Sequence, residues 1–301
     1  MLPLPDSRDD LALPRLTRAA APLTREVEVL DEFGQRRAIH IPAERPLTLY
    51  VDKREVVTLM TLGAAPELLA LGYLRNQQLV GSLAEIESVT VDWEVGAAAV
   101  KTRTGPGATS DFEARTAKRI VTTGCGQGTM FGSLMDEIDR VKLPPPAAAR
   151  IRQGTLQALN DAMRKVDSIH RRAGSVHGCA LFRGTEMLTF VEDVGRHNAI
   201  DTIAGWMWMH GDAPLGQGGD KVFYTTGRLT SEMVTKAAQL GVPIVISRNG
   251  VTQMGYELAS RLGMTLFGRA SQKHFICYCG FERFDAEPEP VRAPVSVATP
   301  N

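Results

Sequence analysis

From residue 175 onward the sequence alternates short apolar runs of strand length with longer stretches of helical spacing. Residues 175–182 read as a strand with 187–191 as its hairpin partner, and 198–209 read as a helix. Strand 221–225, helix 231–240, strand 243–247 and helix 252–262 follow, and strands at 264–267 and 274–278 close the series. A chain that alternates in this way is confined to an α/β architecture with a partly parallel sheet.

The half before this pattern is less regular. Alternation at 26–30, 37–41 and 48–51 predicts strands. Pro66 opens a helix whose apolar face is Leu68, Leu69, Leu71 and Leu74, because the N–H that proline lacks would be unpaired there anyway. Ile86, Val89, Val91 and Trp93, and then Ala99-Val100, predict further sheet. These elements make a small α+β module. Pro144-Pro145-Pro146 is the best boundary. The expected division is a flexible arm over 1–24, an N-terminal α+β domain over 25–148, an α/β domain over 149–283 and a tail over 284–301. Residues 130–141 read as helical, and Thr155 is placed to cap a helix carrying Leu156, Leu159, Met163, Val166 and Ile169.

Lys plus Arg and Asp plus Glu each number 34, so the net charge is zero. That argues against a nucleic-acid surface. The N-terminus has no cationic start followed by an apolar run, and no apolar stretch is long enough to span a bilayer. The expectation is a cytoplasmic protein with four free cysteines. Cys277-Tyr278-Cys279 lacks the partners of a structural zinc site. Cys179 has apolar neighbours. Cys125, in Thr123-Gly124-Cys125-Gly126-Gln127-Gly128, has none within three residues. Its glycines allow a tight or mobile loop, so it reads either as a turn containing a thiol or as a mobile nucleophile.

Four polar clusters fall at strand ends of the second half: Asp193-Val194-Gly195-Arg196-His197-Asn198, Thr226-Gly227-Arg228, Ser247-Arg248-Asn249-Gly250 and Gly268-Arg269. Ligands of open α/β sheets bind at the carboxyl ends of strands. Each cluster brings an arginine, which suits phosphate, and the first three precede helix N-termini. The inference is a site for a ligand with several phosphates. None of the four is a Walker or Rossmann loop. His177-Gly178-Cys179 has the histidine of a zinc deaminase motif, but Cys179 stands where the glutamate belongs, and that chemistry needs both parts.

In Val191-Glu192-Asp193-Val194-Gly195-Arg196-His197-Asn198-Ala199-Ile200-Asp201 the chain resembles the formate dehydrogenase accessory sulfurtransferases, the FdhD family. Thr226-Gly227-Arg228, Ser231-Glu232-Met233-Val234, Lys236-Ala237-Ala238, Gly241-Val242-Pro243, Ser247-Arg248 and Thr265-Leu266-Phe267-Gly268-Arg269 continue it in order. Glu44-Arg45-Pro46-Leu47, Met60-Thr61 and Leu71-Gly72-Tyr73-Leu74 extend it into the first half. The resemblance implies a cytidine-deaminase-like C-terminal domain without zinc, usually in a homodimer. It implies a sulfur relay from a cysteine desulfurase through Cys125 to molybdenum (or tungsten) in a bis-molybdopterin guanine dinucleotide cofactor, which passes to the formate dehydrogenase catalytic subunit. It places that cofactor, or a guanine nucleotide as its mimic, on Arg196, His197, Asn198, Gly227, Arg228, Ser247, Arg248, Phe267, Gly268, Arg269, Ala270, Ser271 and Gln272. Where much of the family has the second cysteine of C-x-x-C, this chain has Gly128. The alternatives are a carrier with one cysteine, a chaperone that delivers the cofactor without sulfur transfer, and a nucleotide-modifying enzyme.

Overall fold

The computed structural model describes residues 13–103, 119–122, 128–131, 138–211 and 216–287. The first half holds β1 (Arg15–Leu16), β2 (Thr24–Leu30), β3 (Arg36–Pro42), β4 (Arg45–Val51), β5 (Arg54–Thr61), α1 (Pro66–Asn76), β6 (Ile86–Asp92) and β7 (Ala97–Thr102), then a hairpin of β8 (Arg119–Thr122) and β9 (Gly128–Phe131). The second half opens with β10 (Ile151–Arg152), α2 (Gln153–Lys165), α3 (Ile169–Ala173), β11 (His177–Arg183) and β12 (Glu186–Asp193). It continues through α4 (Arg196–Met209), β13 (Lys221–Thr225), α5 (Ser231–Gln239), β14 (Ile244–Ser247) and α6 (Gln253–Arg261), and ends in β15 (Thr265–Ser271), β16 (His274–Cys279) and β17 (Phe284–Asp285).

The architecture is mixed α/β. A six-stranded sheet runs β12-β11-β13-β14-β15-β16, and a five-stranded sheet runs β1-β6-β7-β4-β5. In the larger sheet β13, β14 and β15 are parallel, while β11 and β16 are antiparallel to their neighbours. Every residue of β13 and β14 is buried, as parallel strands with both faces covered require. Ile151, Leu156 and Leu159 cover one face, over Phe182, Tyr224, Ile246 and Phe267. On the other face Ala199, Ile203, Met233, Ala237 and Leu258, from α4, α5 and α6, join a core that also takes in Leu71, Leu74 and the apolar residues of β4, β6 and β7.

Helix α1 is buried on nearly all sides, and it crosses α4 at two glycines. A Cβ on Gly72 would lie 1.6 Å from the carbonyl oxygen of Asp201, and one on Gly205 2.0 Å from that of Leu68. The helices therefore meet backbone to backbone. No helix of the described residues is long and apolar enough to cross a membrane.

Several expectations change. Part of the arm over 1–24 is structured. Arg15 and Leu16 pair with Ser88 and Val89, and the Thr17 hydroxyl extends the ladder by donating to Val89 O (3.1 Å) and accepting from Val91 N (2.9 Å). Within the expected helix 130–141, Met130 and Phe131 lie in β9, drawn into register with Ile120 and Arg119, and Ile138–Arg140 is a single 3-10 turn. Thr155 lies inside α2 rather than capping it, and Ile169 starts α3, whose cap is Ser168. Phe284 and Asp285, expected in the tail, pair with β10 because the Phe284 ring packs on Phe267 and Phe275 and Asp285 pairs with Arg150.

Candidate functional site

The strand register sets the polar clusters along one sheet edge. His177 lies opposite Asp193, Cys179 opposite Thr225, and Thr225 opposite Ser247. Arg269 N donates to Asn249 O at 2.8 Å. The loops after β13 and β14 brace one another. Arg248 N donates to Thr225 O (3.0 Å) and Leu229 N to Gly250 O (3.0 Å). Ser247 Oγ donates to Gly227 O (2.6 Å) and accepts from Asn249 N (2.9 Å). The first three clusters follow strand ends as expected, whereas Gly268 and Arg269 lie inside β15, at a register shift. Helices α4, α5 and α6 all start at this edge, so their N–H groups add partial positive charge.

Arg228, Arg248 and Arg269 are exposed here. Among the described residues no carboxylate lies within ion-pair distance of them. Arg269 adopts φ +51°, a left-handed conformation. Gly268 beside it is required by close approach, since a Cβ there would meet the Tyr278 ring at 2.7 Å and Asn249 O at 3.0 Å. Arg196 is buried beneath the three, its stem against Gly227, where a Cβ would lie 2.9 Å from Arg196 Cδ and 3.5 Å from His177 Nδ1. His177, which the sequence offered only as part of an incomplete deaminase motif, joins the arginines here. Burial, then the charges of Arg196, His170 and Arg228, lower its pKa, so a neutral imidazole faces the arginines. Ser271 and Gln272 are exposed beyond this point, whereas Phe267 and Ala270 are buried in the core beneath α2.

The expected site residues Asn198 and His197 turn inward, as do their neighbours Glu192 and Asp193. The Asp193 carboxylate accepts from Thr61 Oγ1, Leu62 N (3.0 Å), Gly195 N (2.9 Å) and Asn198 Nδ2 (2.9 Å), and Asn198 Nδ2 also donates to Met60 O (2.7 Å). These bonds lock the loop after β12 onto the end of β5. Burial raises the Asp193 pKa despite them. Glu192 accepts from Ile169 N (2.6 Å) and His170 N (3.0 Å), capping α3. His197 Nε2 lies 3.3 Å from Glu232 Oε2 without the alignment of a hydrogen bond. Burial lowers its pKa to about 3, against the pull of Glu232. From Glu232 a buried polar chain continues through Lys236 Nζ (3.4 Å) and Asp201 Oδ2 (2.8 Å from Lys236) to Asn76 Nδ2 (2.7 Å from Asp201 Oδ1). Burial opposes the charge on Lys236, but Asp201 and Glu232 outweigh it and raise its pKa.

The three described cysteines are poor thiolates. Burial pushes the Cys179 thiol up to about 12, and it donates to Thr225 Oγ1 at 3.3 Å. Burial pushes Cys277 up to about 11 and raises Cys279 as well. Cys125, with the mobile loop expected around it, lies outside the described residues. They resume at Gly128, which pairs with Thr122 across the β8–β9 hairpin.

Comparison with known proteins places these features in context. The sequence pattern of the FdhD/NarQ family matches residues 42–285. The sulfur carrier protein FdhD of Bacillus pumilus is 32% identical over 259 residues, covering 85% of this chain and 90% of its own. That of Geobacillus kaustophilus is 30% identical over 244 residues, covering 79% and 87%. A crystal structure assigned as a formate dehydrogenase accessory protein from Desulfotalea psychrophila superposes with a TM-score of 0.65 at 25% identity, covering 87% of this chain and all of that one.

Proposed function

This chain belongs to the FdhD/NarQ family, and on that footing we propose that it carries sulfur for a formate dehydrogenase, using a persulfide on Cys125. Its donor is a cysteine desulfurase. The Cys125 thiolate attacks the outer sulfur of the donor persulfide. A new S–S bond forms on Cys125, the donor's S–S bond breaks, and the donor leaves as a thiolate. The acceptor is the metal, molybdenum or tungsten, of a bis-molybdopterin guanine dinucleotide held as substrate at the arginine edge. The Cys125 S–S bond breaks, two electrons from the reduced metal or from a thiol reductant take the outer sulfur to the sulfide level, and Cys125 returns to a thiolate.

The cysteine inventory carries the reading. Attack needs a thiolate, and burial disfavours it at Cys179, Cys277 and Cys279, which leaves glycine-flanked Cys125. The donor set at the edge suits pyrophosphate: three exposed guanidinium groups without a carboxylate among the described residues, and three helix N-termini. A homodimer in the cytoplasm is the setting this reading assumes.

The test is a complementation assay for formate dehydrogenase activation, with mass spectrometry of the protein after incubation with a desulfurase and cysteine. Cys125→Ala is expected to abolish both activation and the added sulfur, while Cys277→Ala and Cys279→Ala remain active. Full activation by the Cys125 variant leaves only a chaperone that delivers the cofactor.

A further inference from the structure

Strand β12 is an edge of the six-stranded sheet, paired on one side with β11. On its other side its main chain makes no hydrogen bond to a described residue. Along that open side runs a groove of about 530 Å3, with residues 187–191 of β12 on one wall and Leu23, Ala64 and Ile169 on the other. Its volume falls within the roughly 300–1,000 Å3 of ligand clefts. Thr189, which lines it, has a buried hydroxyl with no hydrogen-bond partner.

Unbonded main-chain groups beside an apolar trough call for a ligand with main-chain groups of its own, in extended form. The surroundings add a charge preference. Arg172 of α3 is exposed and lines the groove, and its neighbour Arg171 is exposed beside it. Of the two carboxylates that line the groove, Glu192 is engaged by the amides of α3, and Asp167 lies 3.9 Å from Arg172.

We propose that this groove docks an extended, acid-flanked peptide segment of a partner protein, which joins the sheet as a strand beside β12. The segment contributes apolar side chains to the trough and a hydrogen-bonding group to Thr189, and its flanking carboxylates meet the arginines. The same strand leads at its C-terminal end through Val194 and Gly195 to Arg196 at the start of α4, so a docked partner lies next to the candidate site.

The probe is a fluorescein-labelled peptide of alternating Val and Thr residues flanked by glutamates, titrated into the full chain by anisotropy and followed by hydrogen–deuterium exchange. Saturable binding that weakens with salt, with slowed exchange at residues 187–191, is expected. A peptide with the same side chains but N-methylated on alternate residues keeps the composition and loses the main-chain donors. It should bind roughly tenfold or more weakly, and Arg172→Glu, a surface change, should also weaken binding. The proposal is overturned if the N-methylated peptide binds equally well, if no saturable binding occurs, or if exchange at 187–191 slows with protein concentration alone, since a second copy then occupies the edge.

Discussion

Arg228, Arg248 and Arg269 differ from Arg196 in their surroundings. Three guanidinium groups stand in solvent at one edge, while the fourth lies buried beneath them. A charge-assisted hydrogen bond from an exposed arginine to phosphate contributes about 1.5–3 kcal/mol. Arg228→Ala or Arg269→Ala should therefore weaken guanosine diphosphate binding by roughly tenfold or more, since about 1.4 kcal/mol is a factor of ten. Calorimetry at two salt concentrations checks this. Unchanged affinity in both variants would put the phosphates elsewhere. These arginines were legible in the sequence because each closely follows a short apolar run, Val222-Phe223-Tyr224, Ile244-Val245-Ile246 or Leu266-Phe267. The roles of His197, Asn198 and Ser247 were not, because their partners Glu232, Met60 and Gly227 are distant in sequence and only the fold brings them close.

At the scale of elements, the crossing of α1 and α4 is fixed by what is missing from it. Main-chain atoms cannot turn aside as a side chain does, so Gly72→Ala or Gly205→Ala must push the helices apart. Overpacking of a tight core costs about 1–3 kcal/mol, occasionally more, and both substitutions should reach or pass the top of that range in urea unfolding. Gly154→Ala, where the nearest atom is a flexible Glu287 carboxylate oxygen at 3.4 Å, should cost nothing. The strands and helices after residue 175 were readable because burial on both faces leaves β13 and β14 built around the apolar runs Val222-Phe223-Tyr224 and Ile244-Val245-Ile246. Strand β5 was not: it opens with Arg54 and Glu55 and mixes buried with exposed positions without regular alternation. The two-residue strands β1, β10 and β17 are held by tertiary partners and leave no periodic trace.

For the whole molecule, the polar chain from His197 to Asn76 ties α1, α4 and α5 together inside a shared core, so its protonation is felt by the entire fold. The folded His197 pKa of about 3 lies below its ordinary 6.5. Between these values the unfolded chain holds a proton that the folded one does not, so stability falls as pH falls through this window. The slope is about 1.4 kcal/mol per pH unit, so His197→Gln should gain roughly 2 kcal/mol on wild type between pH 7 and pH 5. Chemical denaturation at the two pH values measures the difference. A constant gap between the proteins would mean that His197 charges freely in the native state.

The left-handed backbone of Arg269 gives an engineer a reason for care. An L-residue in that conformation costs roughly 1–2 kcal/mol that glycine would not, so a search for higher melting temperature would rank Arg269→Gly among its gains. The same change would remove one of three guanidinium groups from the edge. If the edge holds the proposed cofactor, a screen that reads heat resistance alone would enrich a sturdier protein that binds it less well, so any thermostabilised variant needs a binding assay beside its melting curve.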